Sequence, residues 1–257
     1  MLFTLPELMR AAVVWRPSKV IKSPYVADIT VGDDLSVVQC HSPGLGCNGM
    51  VATGTTVYVS RNGNGTKTGY TTHVAEVIDA VGTVYVGIHP MISQKVAGLL
   101  LDRICLDVTW KTEVACLDSR LDFVGSMANG KKVYVEVKNA MICKDISVGR
   151  GSRRALFPDG FRASGSVTTS PRAVKHAETL TALAKLQDMG AVEAAYLVFI
   201  VSRDDCGGGL ELNRADPVYC SAVLTALRAG VKVVVFGLSY KKDGTIDFYK
   251  RLPLIIP

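Results

Sequence analysis

Two apolar runs of strand length, Ala194 to Val201 and Val231 to Leu238, constrain this chain more than any other feature. Runs of this kind, bounded by turn formers, read as strands buried on both faces. The stretch between them, Pro217 to Ala229, reads as a helix closed by Gly230. Strand, helix, strand is a β-α-β unit, and its sheet needs helices packed against it.

The elements upstream extend that sheet. Met91 to Asp102 reads as a helix, followed by strands at Leu106 to Ala115, Leu117 to Val124 and Lys132 to Ile142. A second helix is expected over Pro171 to Met189, with Pro171 in its first turn and Val174, Leu180, Leu183, Ala184 and Leu186 as apolar positions. The order α-β-β-β-α-β-α-β predicts a mixed sheet in which antiparallel strands lead into the β-α-β unit.

The first ninety residues differ. Short β signals at Ala12 to Trp15, Tyr25 to Thr30, Ser36 to Cys40, Thr55 to Ser60, Tyr70 to Ala80 and Thr83 to Ile88 alternate with Pro, Gly, Asn and Asp turns. Five or six such strands suit an OB-like barrel, a common nucleic-acid platform. The expected class is α/β in the broad α+β sense: an OB-like β-barrel over residues 1–88, then a mixed-sheet domain with flanking helices over 89–257.

Within the third strand of the second domain, Val133, Val135 and Val137 alternate with Tyr134, Glu136 and Lys138. Residues two apart on a strand have Cα atoms about 6.5 to 7 Å apart, so Glu136 and Lys138 can lean toward one point. If the neighbouring strand brings Asp122 there, two carboxylates and an ammonium converge. Asp122 and Glu136 would then hold Mg²⁺ or Mn²⁺, with Lys138 beside an attacked phosphate, and Glu113 is a further candidate acid. The plainer reading of the same segment is the solvated face of a half-exposed sheet.

A local charge excess follows that strand. Between Ala140 and Lys175 stand seven basic residues against two acidic ones, a net +5 out of +6 for the chain. Arg153, Arg154, Arg172 and Lys175 are candidate phosphate contacts, together with Arg120 and His176. Each has a structural alternative. The basic run fits a solvated loop, His176 a helix surface, and Arg120 an ion pair with Asp122 or Glu136.

No apolar run approaches the roughly 18 residues that cross a bilayer, so a membrane partner is not expected. Seven cysteines without a Cys-x-x-Cys pair read as reduced thiols of a soluble intracellular protein, of unspecified compartment. Cys40, His41 and Cys47 lack a second pair at zinc spacing. His41, His73 and His89 have no acid-base partner visible in sequence and read as structural.

One acid on the second strand and Glu-x-Lys on the third, in this element order, resembles the PD-(D/E)XK nuclease superfamily. More closely, the chain resembles the sugar fermentation stimulation protein A family, from Leu5-Pro-Glu-Leu through Tyr240. The ordered markers include Pro43-Gly44, Tyr70 with Glu76, Glu113-Val114, Ser119-Arg120-Leu121-Asp122-Phe123, Glu136-Val137-Lys138-Asn139, Phe157-Pro158-Asp159, Arg172 with Lys175-His176, and Asp216-Pro217 with Tyr219. The resemblance implies an OB-like barrel followed by a restriction-nuclease-like domain over 89–257, implies DNA binding, and carries Asp122, Glu136 and Lys138 to the family's catalytic positions.

Three departures stand out. Ser42-Pro43-Gly44-Leu45-Gly46 lacks the Asn or Arg of the family's turn, which puts nucleotide contact through that loop in doubt. A Ser/Thr/Gly-rich insert over Gly160 to Ser170 suggests an added loop that clamps ligand, and Ala173 replaces a usual Gly. The Glu113 to Arg120 hairpin is short. The expectation is therefore a DNA-binding protein with a nuclease-like, Mg²⁺-dependent site. A non-catalytic DNA-binding or regulatory protein is the alternative, and a scaffold that binds no nucleic acid is a third. A homo-oligomer stays open.

Overall fold

Along the strand Val192–Val201, Ala194, Tyr196, Val198 and Ile200 enter one hydrophobic core, while Ala195, Leu197, Phe199 and Val201 enter another. Alternate side chains point to opposite faces, so a run apolar throughout can only be satisfied with both faces covered. The computed structural model describes residues 1–45, 47–158, 168 and 170–257. The strands are β1 (Phe3–Thr4), β2 (Met9–Trp15), β3 (Val26–Val31), β4 (Asp34–His41), β5 (Thr56–Arg61), β6 (Tyr70–Asp79) and β7 (Gly82–Gly87). Then come α1 (Pro90–Gly98), β8 (Val108–Cys116), β9 (Ser119–Met127), β10 (Lys132–Ala140), β11 (Ile142–Lys144), β12 (Arg154–Phe157) and α2 (Pro171–Ala184). The chain ends with β13 (Val192–Val201), β14 (Gly209–Leu212), α3 (Pro217–Arg228), β15 (Lys232–Tyr240), β16 (Thr245–Leu252) and β17 (Leu254–Ile255).

The larger sheet runs β1-β16-β15-β13-β10-β9-β8. Its centre, β10 with β13 and β13 with β15, is parallel, and both flanks are antiparallel. Helix α1 covers one face through Ile92, Val96 and Ala97, and α2 and α3 cover the other through Ala173, Leu180, Leu183, Tyr219 and Val223. The mixed sheet with flanking helices expected from sequence is present. Strands β11, β12, β14 and β17 form a small second sheet that the sequence did not announce. Elements of two to four residues are too short to carry a readable period.

The first unit is an OB-like curled sheet. Its order β4-β3-β2-β5-β6 is closed on itself by a parallel β4–β6 pairing, with β7 added outside β6. Alternate residues of these strands, among them Val57, Val59, Ala75, Val84 and Val86, fill its core.

Two features cross the predicted division at residue 88. Phe3 and Thr4, assigned by sequence to the barrel, pair with Ile246 and Thr245 of the other sheet. Met141 and Ile142, assigned to the second domain, sit in the barrel core. At the seam the Gly87 N–H donates to the Ser202 carbonyl at 2.8 Å. A Cβ at Gly87 would lie 2.2 Å from Cζ of Tyr240, so this contact needs glycine for its lack of side chain. No helix among the described residues is long and apolar enough to cross a membrane.

Candidate active site

The Tyr134, Glu136 and Lys138 face of β10 is not the solvated face of the plainer reading. Val133, Val135 and Val137 point into the core beneath α1, and the opposite face lies under α2. Glu136 is 2% exposed as a result. The β9–β10 ladder pairs residues as far as Phe123 with Val135. Beyond it, the Val137 N–H donates to Oδ2 of Asp122 at 2.7 Å, so the carboxylate takes up a backbone donor just where the strands part.

Helix α2 brings the third element. Ser170 caps it by accepting from the Ala173 N–H, and Pro171 opens its first turn. Arg172 and His176, one turn apart on the same face, turn toward β10. His176 Nδ1 and the Lys138 ammonium both contact Oε1 of Glu136. Arg172 Nε lies 3.4 Å from His176 Nε2. A guanidinium only donates, so Nε2 accepts from Arg172, while Nδ1 faces both the Glu136 carboxylate and, at 3.2 Å, the Lys138 ammonium. Oε2 of Glu136 is buried and has no hydrogen-bond partner among the described residues.

The carboxylates are tuned apart. Burial, and then the Glu136 charge, push Asp122 up to about 7, partly countered by the Val137 N–H and Lys138. Burial would push Glu136 up as well, but His176 and Lys138 outweigh it and hold that carboxyl below its ordinary value. Glu113 stands beside them on β8 with a left-handed φ of 53°, and its Oε1 accepts from Gln94 at 2.6 Å. A non-glycine residue in that region is strained, and strain of this kind gathers at functional sites.

Asp122, Glu136, Lys138, Arg172 and His176 line one cleft of about 710 Å³, with Glu113 and Gln94. Its far wall is the barrel, through Tyr25, Pro43, Gly44 and Leu45. Arg16 holds that loop by donating to the carbonyls of Pro24, Ser42 and Gly44. Tyr25 and Gln94 carried no signal in sequence, because each joins the cleft only through the packing of barrel on sheet.

The remaining basic candidates lie elsewhere. Arg153 is a correction: it is wholly buried, and its Nη1 donates to Asp79 at 2.5 Å and Asp205 at 3.0 Å, so it offers nothing to nucleic acid. Arg154 pairs with Glu211 at 3.0 Å, as does Lys144 at 2.6 Å. Lys175 pairs with Asp118 at 3.2 Å on the surface, and Arg120 is exposed outside the cleft lining. Arg150 donates to the Thr83 carbonyl at 3.0 Å. The +5 segment is thus largely committed to protein partners. Gly46, Asp159, Arg162 and most of the Gly160 to Ser170 insert fall outside the described residues.

The fold and cleft define a class: an OB-like barrel joined to a restriction-nuclease-like domain with two carboxylates and a lysine at the seam. The chain belongs to the sugar fermentation stimulation protein family. Residues 92–244 match the family model described as the sugar fermentation stimulation protein RE domain. The sugar fermentation stimulation protein homolog of Synechococcus elongatus is 30% identical over 262 residues, covering 98% of each chain. That of a Cyanothece species is 29% identical over 91% of this chain and 90% of its own. The structure of Pyrococcus furiosus SfsA in complex with Ca²⁺ superposes with a TM-score of 0.78 at 20% identity, over 99% of both chains.

Proposed function

We propose that this cleft is a divalent-cation-dependent phosphodiester site on a DNA-binding protein, with Asp122 and Glu136 as cation ligands and Lys138 beside the phosphate. The observation that carries this is Oε2 of Glu136, buried without a donor and close to a second carboxylate. Such an oxygen is costly to bury unless something pairs with it. An all-oxygen donor set suits Mg²⁺ or Mn²⁺, and the Ca²⁺ held by the Pyrococcus furiosus relative supports the same chemistry here. When bound, such a cation supplies Lewis-acid polarisation of the phosphate.

The chain's own groups do the rest. His176 and Lys138 engage Oε1 of Glu136 and leave Oε2 free of protein donors. Lys138 sets a positive charge where the phosphate gains negative charge, and Arg172 holds a phosphate oxygen at the cleft rim. The barrel loop at 43–45 keeps the nucleic acid against the sheet.

Retention on immobilised DNA across a salt series tests binding, which should weaken as salt rises. Mg²⁺- or Mn²⁺-dependent cleavage by wild type and Glu136→Ala then tests the site. Loss of cleavage in the variant is the expected outcome, and unchanged cleavage would remove Glu136 from it. One observation favours a non-catalytic DNA-binding reading: Oε1 is already committed to His176 and Lys138. Salt-sensitive binding without cleavage under either cation would decide for it.

A further inference from the structure

Among the described residues, which include all seven cysteines, no disulfide forms. Two of the thiols nevertheless meet. Cys143 is the middle residue of β11, and Cys206 lies just ahead of β14. In the small sheet Cys143 faces Ala155 of β12, and Ala155 faces Leu210 of β14, which brings the two segments together. The sulfurs of Cys143 and Cys206 and a carboxylate oxygen of Asp205 all lie within 4.8 Å of one another. The pair is unequal in access: Cys206 is fully buried and Cys143 is partly exposed.

Two thiols and a carboxylate suggest a metal site, but the charge around them argues otherwise. Arg203 donates to Asp205 Oδ1 at 2.5 Å and to Oδ2 at 2.8 Å, and Arg153 donates to Oδ2 at 3.0 Å. Both oxygens are taken, and two guanidinium groups would repel a dication placed beside them. The same cations favour a thiolate. The neighbouring Cys206 thiol, aided by the Arg203 charge, draws the Cys143 thiol below its ordinary value against the pull of burial, and the Cys206 Sγ itself donates to Asp205 Oδ1 at 3.8 Å. The proximity of Cys143 and burial push Cys206 the other way. A partly exposed thiol that donates to the Lys144 carbonyl at 3.5 Å, next to an enclosed thiol within 4.8 Å, is the arrangement of an attacking and a resolving cysteine.

We infer that Cys143 and Cys206 form a peroxide-responsive thiol pair, with Cys143 attacking and Cys206 resolving, which closes to a disulfide. The Cys143 sulfur attacks one oxygen of hydrogen peroxide, the O–O bond breaks, and the departing hydroxide takes a proton from solvent to become water. Cys143 is then a sulfenic acid. The Cys206 sulfur attacks it, the S–S bond forms as the S–O bond breaks, and the hydroxide released leaves with the Cys206 proton as a second water. The two sulfurs lose two electrons, and the peroxide gains them. The pair sits at a joint between the units: Arg203 also donates to the Met141 carbonyl at the cleft, and Arg153 reaches Asp79 on the barrel.

The test is hydrogen peroxide titration of the full chain, followed by alkylation and peptide mapping by mass spectrometry. Loss of two thiols, a linked pair of peptides containing Cys143 and Cys206, and recovery of both thiols with dithiothreitol are expected. In Cys206→Ser, dimedone should trap Cys143 as sulfenic acid, and in Cys143→Ser the Cys206 thiol should survive. Oxidised chain in which both thiols still alkylate, or in which Cys206 is the residue dimedone traps, overturns the inference. So does stoichiometric Zn²⁺ binding by the wild type that Cys143→Ser abolishes, which would make the cluster a metal site. Mapping of the wild-type chain decides the matter even if a serine variant fails to fold.

Discussion

At the scale of single residues, neighbours in sequence have opposite fates. Arg153 and Arg154 are adjacent and chemically alike, yet Arg153, just ahead of β12, is buried against Asp79 and Asp205, while Arg154, the first residue of β12, pairs with Glu211 near solvent. Arg153→Met takes the ion-pair partner from Asp79 and one of two from Asp205 and should cost about 3 kcal/mol in urea unfolding, whereas Arg154→Ala should stay within about 0.5 kcal/mol. Charge excess alone failed for Arg153, whereas spacing worked for Glu136 and Lys138, because two-residue spacing on a strand fixes a shared face without knowledge of what covers it. Which face was covered was not legible. It depends on α2, whose His176 reaches Glu136 from forty residues away in sequence. On the proposed cation site, His176→Ala removes a partner that orients Glu136, so divalent-cation affinity measured by calorimetry should fall about 10–100-fold while the fold is retained.

Among elements, α2 and β7 carry the sharpest expectations. Ser170 satisfies an otherwise open donor at the start of α2, and Ser170→Ala should cost about 1 kcal/mol in thermal unfolding. Gly87→Ala drives a methyl group into the Tyr240 ring, and overpacking of this kind costs about 1–3 kcal/mol, visible as a lowered urea midpoint. Most of the longer strands and the three helices among the described residues were readable from a period or an apolar run, whereas the eight-residue β16 went unread because its charged Asp247, Lys250 and Arg251 break the apolar pattern. Helix ends were less so: α2 was expected to reach Met189 but stops at Ala184, where a short 3₁₀ turn at Gln187–Met189 takes over. The strand pairings of the small sheet follow from which loops meet, and no local pattern encodes that.

For the whole molecule, acid acts through opposing groups: Asp122, raised to about 7 in the folded chain, adds stability as pH falls below that value, while the histidines and then the paired aspartates lose it. Burial first, then the neighbouring His89, lower His73 from the ordinary 6.5 to about 4. Its unfolded form takes up a proton below about 6.5 and the folded form does not until about 4, so its contribution is full above that window and lost as pH falls through it. At 1.36 kcal/mol per unit the loss is about 3 kcal/mol, and His73→Gln should flatten the slope of urea stability against pH in this range. Below it a second decline is expected. Asp79, through its hydrogen bond to Arg153, and Asp205, whose two arginines outweigh its burial, have lowered values, so their contribution is present at higher pH and lost as they protonate. The pairing of Phe3 and Thr4 with β16 also has a consequence for synthesis. A nascent chain emerges from the ribosome in order, and these residues appear long before residue 245 does. The barrel strands between them close through nearer partners and can fold meanwhile. The first strand must therefore wait unpaired until the last large strand arrives, and a chain halted before β16 leaves it without its place in the sheet.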